Sequence, residues 1–190
     1  MNKDYEKFEL SDYNKKHKKC LSIANYIIQA TNDYNDMQTS LENFVFMSST
    51  RLQRIMFFSD VIYMLEHNGQ SMLDEPYYAW PGGPVIITIY NEYLEMVQYP
   101  NMRMQPHNYE GLPELTGEIT SVIDTVLQTT NKVGTATLVA ESQKLKPWQD
   151  AYKKAEIKNS LIEPISKESI YNFYKEKYVP YAQNDEEKEN

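Results

Sequence analysis

Apolar residues recur at helical spacing in several separated stretches of this chain. Cys20, Ile23, Ala24, Ile27 and Ile28 fall on one helical face, so the pattern predicts an amphipathic helix from about Lys16 to Thr31. The turn formers of "NDYND" (residues 32–36) are expected to break it. Residues 35–49 carry no clear period. Thr50 and Gln53 have capping-box spacing and open the strongest helix. Its run "LQRIMFFSDVIYMLEH" (residues 52–67) is apolar on most faces, the pattern of a central helix covered on several sides. Asn68-Gly69 ends it, with Gly69 suited to the left-handed conformation of a helix C-terminus.

Tyr77, Tyr78 and Trp80 predict a short extended segment, placed by Pro76 at an edge or a strand start. The corner "PGGP" (residues 81–84) follows. Pro84 suits the first position of a new helix, continued by Val85, Ile86, Ile89, Tyr90 and Tyr93. "QYPNMRMQPHNYEGLP" (residues 98–113) is a polar connection with room for a short strand or hairpin. Leu115, Ile119, Val122, Ile123 and Val126 predict a helix from about Pro113 to Thr130. Another is expected from Gly134-Thr135 to about Lys144, and a short one from Pro147-Trp148. Ser166 caps a last helix to about Tyr178, stapled by Ile165 and Ile170 and stopped by Pro180. The expected fold is mainly α (α+β): a compact helical domain around a central buried helix, with a few short strands. A flexible N-terminal arm (1–15) and an acidic disordered tail (181–190) flank a domain spanning 16–180.

The 190 residues fit one domain, and 41% hydrophobic residues suffice for one core. The net charge of −8 argues against nonspecific affinity for nucleic acid or anionic membrane, because holding phosphates requires a basic face. The single cysteine, Cys20, permits no intrachain disulfide, which points to the cytoplasm. No signal peptide and no membrane-crossing run is apparent.

The ordered set of motifs resembles a known family. "IANYII" (residues 23–28) sits on the first helix. "LQRIMFFSDVIYML" (52–65) resembles a Leu-Gln-Lys-Leu-Leu-Tyr-Phe helix, with Arg54 at the lysine. "AWPGGPV" (79–85) resembles an Ala-Trp-x-x-Gly-Pro-Val corner. "LVAESQKLKPWQDA" (138–151) resembles a late block ending in Pro-Trp-x-x-Ala, and "PISKESIYNFY" (164–174) a closing helix. Together these are similar to the Panacea antitoxin domain, which includes SocA-like and GepA-like phage-associated proteins. The resemblance implies a mostly α domain that neutralises a toxin by direct binding, in one type by delivering it to a protease. The toxin would be encoded by a neighbouring gene. Where relatives often carry histidine, this chain has Gln143, which puts a catalytic role there in doubt.

No catalytic, cofactor-binding or metal-binding residue emerges. His17, His67 and His107 are dispersed, Cys20 has no companion at zinc spacing, and no phosphate-cradling or nucleophile-elbow motif occurs. The chain therefore reads as no enzyme. The candidate partner-binding residues are Tyr78, Trp80, Gly82, Gly83, Pro84, Tyr90 and Trp148. Turn sterics and core packing also explain the corner and the tryptophans, and that bland reading is preferred residue by residue. The sixteen tyrosines exceed what one core of this size holds, and tyrosine is enriched at interfaces. A homodimer through such a surface is open. The alternatives are a DNA-binding autoregulator, for which "KKHKK" (15–19) is the compact basic run, and an enzyme with an unrecognised pocket, for which His67 with Glu141 or Asp60 is the candidate cluster. For Arg51 and Arg54, internal pairing with Asp60 or Glu66 is an open alternative.

Overall fold

The computed structural model describes residues 10–94 and 103–186, with side chains between His17 and Tyr178. Seven α-helices appear among the described residues. They are α1 (Leu10–Asp36), α2 (Ser49–Glu66), α3 (Ile87–Glu92), α4 (Gly117–Thr130), α5 (Thr135–Gln143), α6 (Lys146–Lys158) and α7 (Lys167–Glu186). A 3-10 turn occupies Leu41–Asn43, and three short strands are β1 (Tyr77–Trp80), β2 (Gly83–Val85) and β3 (Pro164–Ile165). The fold is mainly α, as the hydrophobic periodicity requires.

Helix α2 is the centre. Thirteen of its eighteen residues are buried, because α1, α4, α5, α7 and the hairpin strand β2 pack around it. It begins two residues before the expected start. Ser48, not Thr50, is the N-cap and accepts from the Arg51 N–H at 3.1 Å. Gln53 is thereby freed from a capping box and reaches another element altogether. At the other end Asn68 (φ 52°) and Gly69 (φ 90°) both turn left-handed, and the Gly69 N–H donates to the Met64 carbonyl at 2.7 Å.

Helix α1 does not break at "NDYND" but runs on to Asp36. The turn formers stay helical because remote backbone satisfies their side chains. Asn32 donates to the Met104 carbonyl at 3.0 Å, and Asn35 both donates to the Val45 carbonyl and accepts from its N–H, at 2.9 and 2.8 Å. Further up the same helix Ser22 donates to the Pro113 carbonyl at 2.9 Å. Asn25 donates to the His107 carbonyl at 2.7 Å and accepts from its N–H at 2.9 Å. These polar residues strap segment 103–113 along α1. Residues 103–113 form no strand, so the room for one there is not used; residues 98–102 of the stretch lie outside the described residues.

Helix α4 starts at Gly117, not Pro113, because Thr116 caps it and Pro113 belongs to the strapped segment. Helix α7 passes through Pro180 to Glu186. Proline removes one helical N–H bond and need not end a helix whose neighbouring turns stay paired. The described helices thus extend into both stretches read as flanks: Leu10–Lys15 open α1, and residues 181–186 close α7.

If Asn35 anchors the 44–47 segment, Asn35→Ala should cost about 2 kcal/mol, since two buried backbone groups lose their partners. Urea unfolding should show this, while Asp33→Ala, on the solvent side of the same turn, shifts stability by less than about 0.5 kcal/mol.

Candidate functional site

The corner "WPGGPV" is a β-hairpin, not a strand-to-helix turn. β1 pairs antiparallel with β2 in the register Tyr78↔Val85, Ala79↔Pro84 and Trp80↔Gly83, and with β3 through Tyr77↔Ile165 and Tyr78↔Pro164. The strand order is β2-β1-β3. Pro81 and Gly82 make the turn, and Gly83 at φ +104° brings the chain back into register. Pro84 therefore lies in a strand, where it is tolerated because β2 is an edge. Helix α3 starts only at Ile87, after Gln53 grips the Ile86 backbone from both sides: its amide donates to the Ile86 carbonyl at 3.0 Å and accepts from the N–H at 2.9 Å.

A tight hairpin leaves carbonyls pointing outward, and here side chains of three helices take them up. Arg54 of α2 donates to the Gly82 carbonyl at 2.9 Å, to the Pro84 carbonyl, and to the Ser142 hydroxyl of α5 at 3.0 Å. Gln143 donates to the Pro81 carbonyl at 2.8 Å, and the Trp148 indole of α6 to the Trp80 carbonyl at 3.1 Å. A Cβ placed on Gly83 would lie 1.9 Å from Nη1 of Arg54 and 2.5 Å from the Ser142 oxygen. Glycine is thus demanded twice, by backbone angle and by the guanidinium packed on it. Burial lowers the Arg54 guanidinium to about 10, with Tyr77 and Tyr174 pulling the other way, and it stays cationic at neutral pH.

Pairing of Arg51 and Arg54 with Asp60 or Glu66 is not found: neither arginine has a carboxylate within ion-pair distance among the described residues, and Arg51 donates instead to the Val133 and Thr130 carbonyls at 2.8 and 2.7 Å. Carbonyl dipoles, not carboxylates, hold both buried cations. Asp60 is turned to the opposite end of the sheet, where it accepts from Ser71, the Met72 N–H and Tyr77.

The residue blocks that meet here come from positions 52–54, 79–86 and 142–148. A family model, antitoxin SocA-like, Panacea domain, matches residues 52–149, just over half of the chain, and spans all three. The chain belongs to this family. No curated protein matches it, and no solved structure does. In this Panacea-domain chain the motif residues prove to be one side-chain-to-backbone network. Gln143, at the position where a histidine would raise the question of catalysis, is one of its hydrogen-bond donors.

The seven candidate partner residues divide around the network. Gly83, Pro84 and Trp148 are buried and hold the hairpin from within. Gly82 is exposed, and Tyr78, Trp80 and Tyr90 are half-buried. The Trp80 and Tyr90 rings meet edge to face at 4.7 Å, and the Trp80 indole donates to the Leu161 carbonyl at 2.7 Å. Leu161, whose carbonyl holds the Trp80 indole, and its neighbour Ile162 are 62% and 67% exposed. Sequence reasoning passed over them. Their signal was the apolar pair in "NSLIEP", where a loop between a helix and a strand has no core to serve.

The remaining titratable groups gather beneath β1. His17 approaches Glu75 at 2.9 Å, beside a surface pocket of about 420 Å³ that Tyr78 and Thr88 also line. Burial, then the neighbouring Glu75, pushes the Cys20 thiol well up, so it is held as the unreactive thiol. Burial pushes Asp60 up despite three hydrogen-bond donors and nearby Lys167. His67 does not meet Glu141 or Asp60, as an enzymatic reading had expected. It stacks on Tyr63 at 3.8 Å and lies 3.6 Å from exposed Glu118, because the last turn of α2 points toward α4. No group of three His, Cys, Asp or Glu suited to a metal occurs among the described residues. Among the described residues no helix is long and apolar enough to cross a membrane.

Substituting Gly83→Ala should destabilise the fold by about 3 kcal/mol or more in chemical denaturation, since a strained backbone and a close contact add. Gly82→Ala, with open space around its Cβ position, should lie within about 0.5 kcal/mol of the parent.

Proposed function

We infer that this Panacea-domain chain is an antitoxin that neutralises a partner toxin by direct protein–protein binding. The partner is encoded by a neighbouring gene in a phage or prophage setting, and the pair acts in the cytoplasm. One observation carries the placement of the interface: the apolar face made by Trp80, Tyr90, Leu161 and Ile162, continuous with the hairpin and uncovered by the fold. Interface hot spots are large side chains on a rigid support, ringed by contacts that exclude water. The Arg54 network provides the rigidity, and Tyr78 and Gly82 complete the rim. A net charge of −8 favours a basic partner and speeds the encounter. Occlusion of the toxin follows from such a face without any chemistry. Delivery to a protease is the competing mode, and it differs in shortening the toxin's half-life.

The experiment is co-expression with the adjacent toxin gene. The parent chain should restore growth, and purified proteins should form a complex. Replacing Leu161 and Ile162 together by Asp should weaken that complex at least about 30-fold, the scale of a lost hot spot, and abolish rescue. The melting temperature should hold, because both side chains are exposed. Undiminished rescue by the double variant moves the interface elsewhere, and no rescue by the parent ends the antitoxin reading itself.

A further inference from the structure

A second concavity lies beside the first turn of α2, at Arg51, outside the hairpin face. The extended segment after the 3-10 turn and the turn before α5 enclose a pocket of about 470 Å³, within the range of small-molecule sites. Three independent features converge on it. The first is Arg51, which lines the pocket at 4% exposure. Two of its guanidinium nitrogens are occupied by the Thr130 and Val133 carbonyls, while its Nε has no hydrogen-bond partner. No carboxylate forms an ion pair with it among the described residues, so this buried cation contributes a positive field to the pocket.

The second feature is the start of α5. This nine-residue helix has Gly134 as its N-cap and no side chain bonded to its first turn. The N–H groups of Thr135 and Ala136 therefore have no intrahelical partner, and Gly134 and Thr135 line the pocket. Lys132 stands beside them, exposed. The third feature is aromatic. Phe44 and Phe46, 45% and 50% exposed, alternate along the extended segment with buried Val45, whose backbone Asn35 clamps, and both line the same pocket.

We propose that this pocket binds a nucleoside phosphate, with the phosphate at the α5 N-terminus and Lys132, above Arg51, and the base against Phe44 and Phe46. Cationic donors and a helix N-terminus suit a dianionic phosphate, and an aromatic face suits any base. Glu42 lines the pocket too and opposes an anion, as does the acidic body of the protein. The attraction is therefore local, and its charge dependence can be read in both directions.

Calorimetric titration of the full chain with ADP, GDP, adenosine and pyrophosphate tests this. At least one nucleotide should bind, with adenosine and pyrophosphate each weaker by about tenfold or more, since each lacks one half of the recognition. Lys132→Glu should weaken the nucleotide by about tenfold or more, and Glu42→Gln should tighten it two- to threefold, roughly, with no change in melting of the free chain. Arg51→Met removes donors from two carbonyls and risks the fold, so the surface variants decide. Binding of neither nucleotide overturns the proposal. So does pyrophosphate binding as tightly as ADP and GDP, or nucleotide binding indifferent to both Lys132→Glu and Phe46→Ser.

Discussion

A cation buried without a counter-ion governs this fold. Arg54 sits at 1% exposure in the second turn of the central helix, and what it meets is the backbone of a hairpin about 30 residues on in the chain. An isolated buried charge is costly by several kcal/mol, and removing one partner from such an arrangement exposes that cost. Here the compensation is distributed over two carbonyls and a serine hydroxyl. The hairpin cannot leave without stranding the guanidinium, and the guanidinium cannot leave without stranding the carbonyls. Gly83 follows from the same contact, because any larger residue would occupy the space of the guanidinium. Ser142 follows as well: fully buried, it accepts from Arg54 and donates to the Val139 carbonyl, so one oxygen ties α5 to the guanidinium that holds the hairpin.

This mutual dependence explains how a three-stranded sheet of such short strands keeps its shape. Sheets of this size have little stability of their own. The turn and β2 instead draw on α2 through Arg54, and β1 draws on α6 through the Trp148 indole and on the loop before β3 through the Ala79 N–H bond to Glu163. On the outward side of the hairpin Trp80 and Tyr90 are half-buried, and Leu161 and Ile162 are exposed. Rigidity within and apolar surface without are the two requirements of a binding platform, since ordering flexible side chains on association subtracts from affinity.

Much of the helical scaffold is readable from periodicity alone. The apolar stripe of Ile119, Val122, Ile123 and Val126 gives α4, and the nearly uniform apolar run after Leu52 gives the central position of α2. What local patterns could not supply is where polar side chains find partners. "NDYND" reads as a helix end because asparagine and aspartate compete with the helix for hydrogen bonds. In α1 that competition is removed by Met104 and Val45, which are remote in sequence or held by their own segment. Gln53 looked like half of a capping box for the same reason: only the position of Ile86 reveals its other use. The proline-glycine corner announced a turn, yet its outcome depended on Arg54, and an arginine in an apolar helix gives no sign of which carbonyls it will seek. Of the candidate surface, the tryptophans and tyrosines were visible as residue types, whereas their sorting into Trp148 within and Trp80 without is tertiary information.

The cluster beneath β1 shows why convergent titratable groups are not by themselves a chemical centre. Asp60 has three donors and a lysine nearby, yet burial still lifts its carboxyl above the usual range. The folded state holds that proton more tightly than an unfolded chain would, so this group's contribution declines as pH rises from the ordinary carboxylate value through the raised one. A carboxylate kept for proton transfer would need a reacting atom within reach. Asp60 is fully buried, and its donors fix the chain at Ser71 and Met72 and orient Tyr77. Cys20 is likewise shut in with its thiol protonated, and Lys167 is engaged by the Leu73 carbonyl. These groups join α1, α2, the segment before β1 and α7 at one point. Their hydrogen bonds and charges are engaged in holding that junction together.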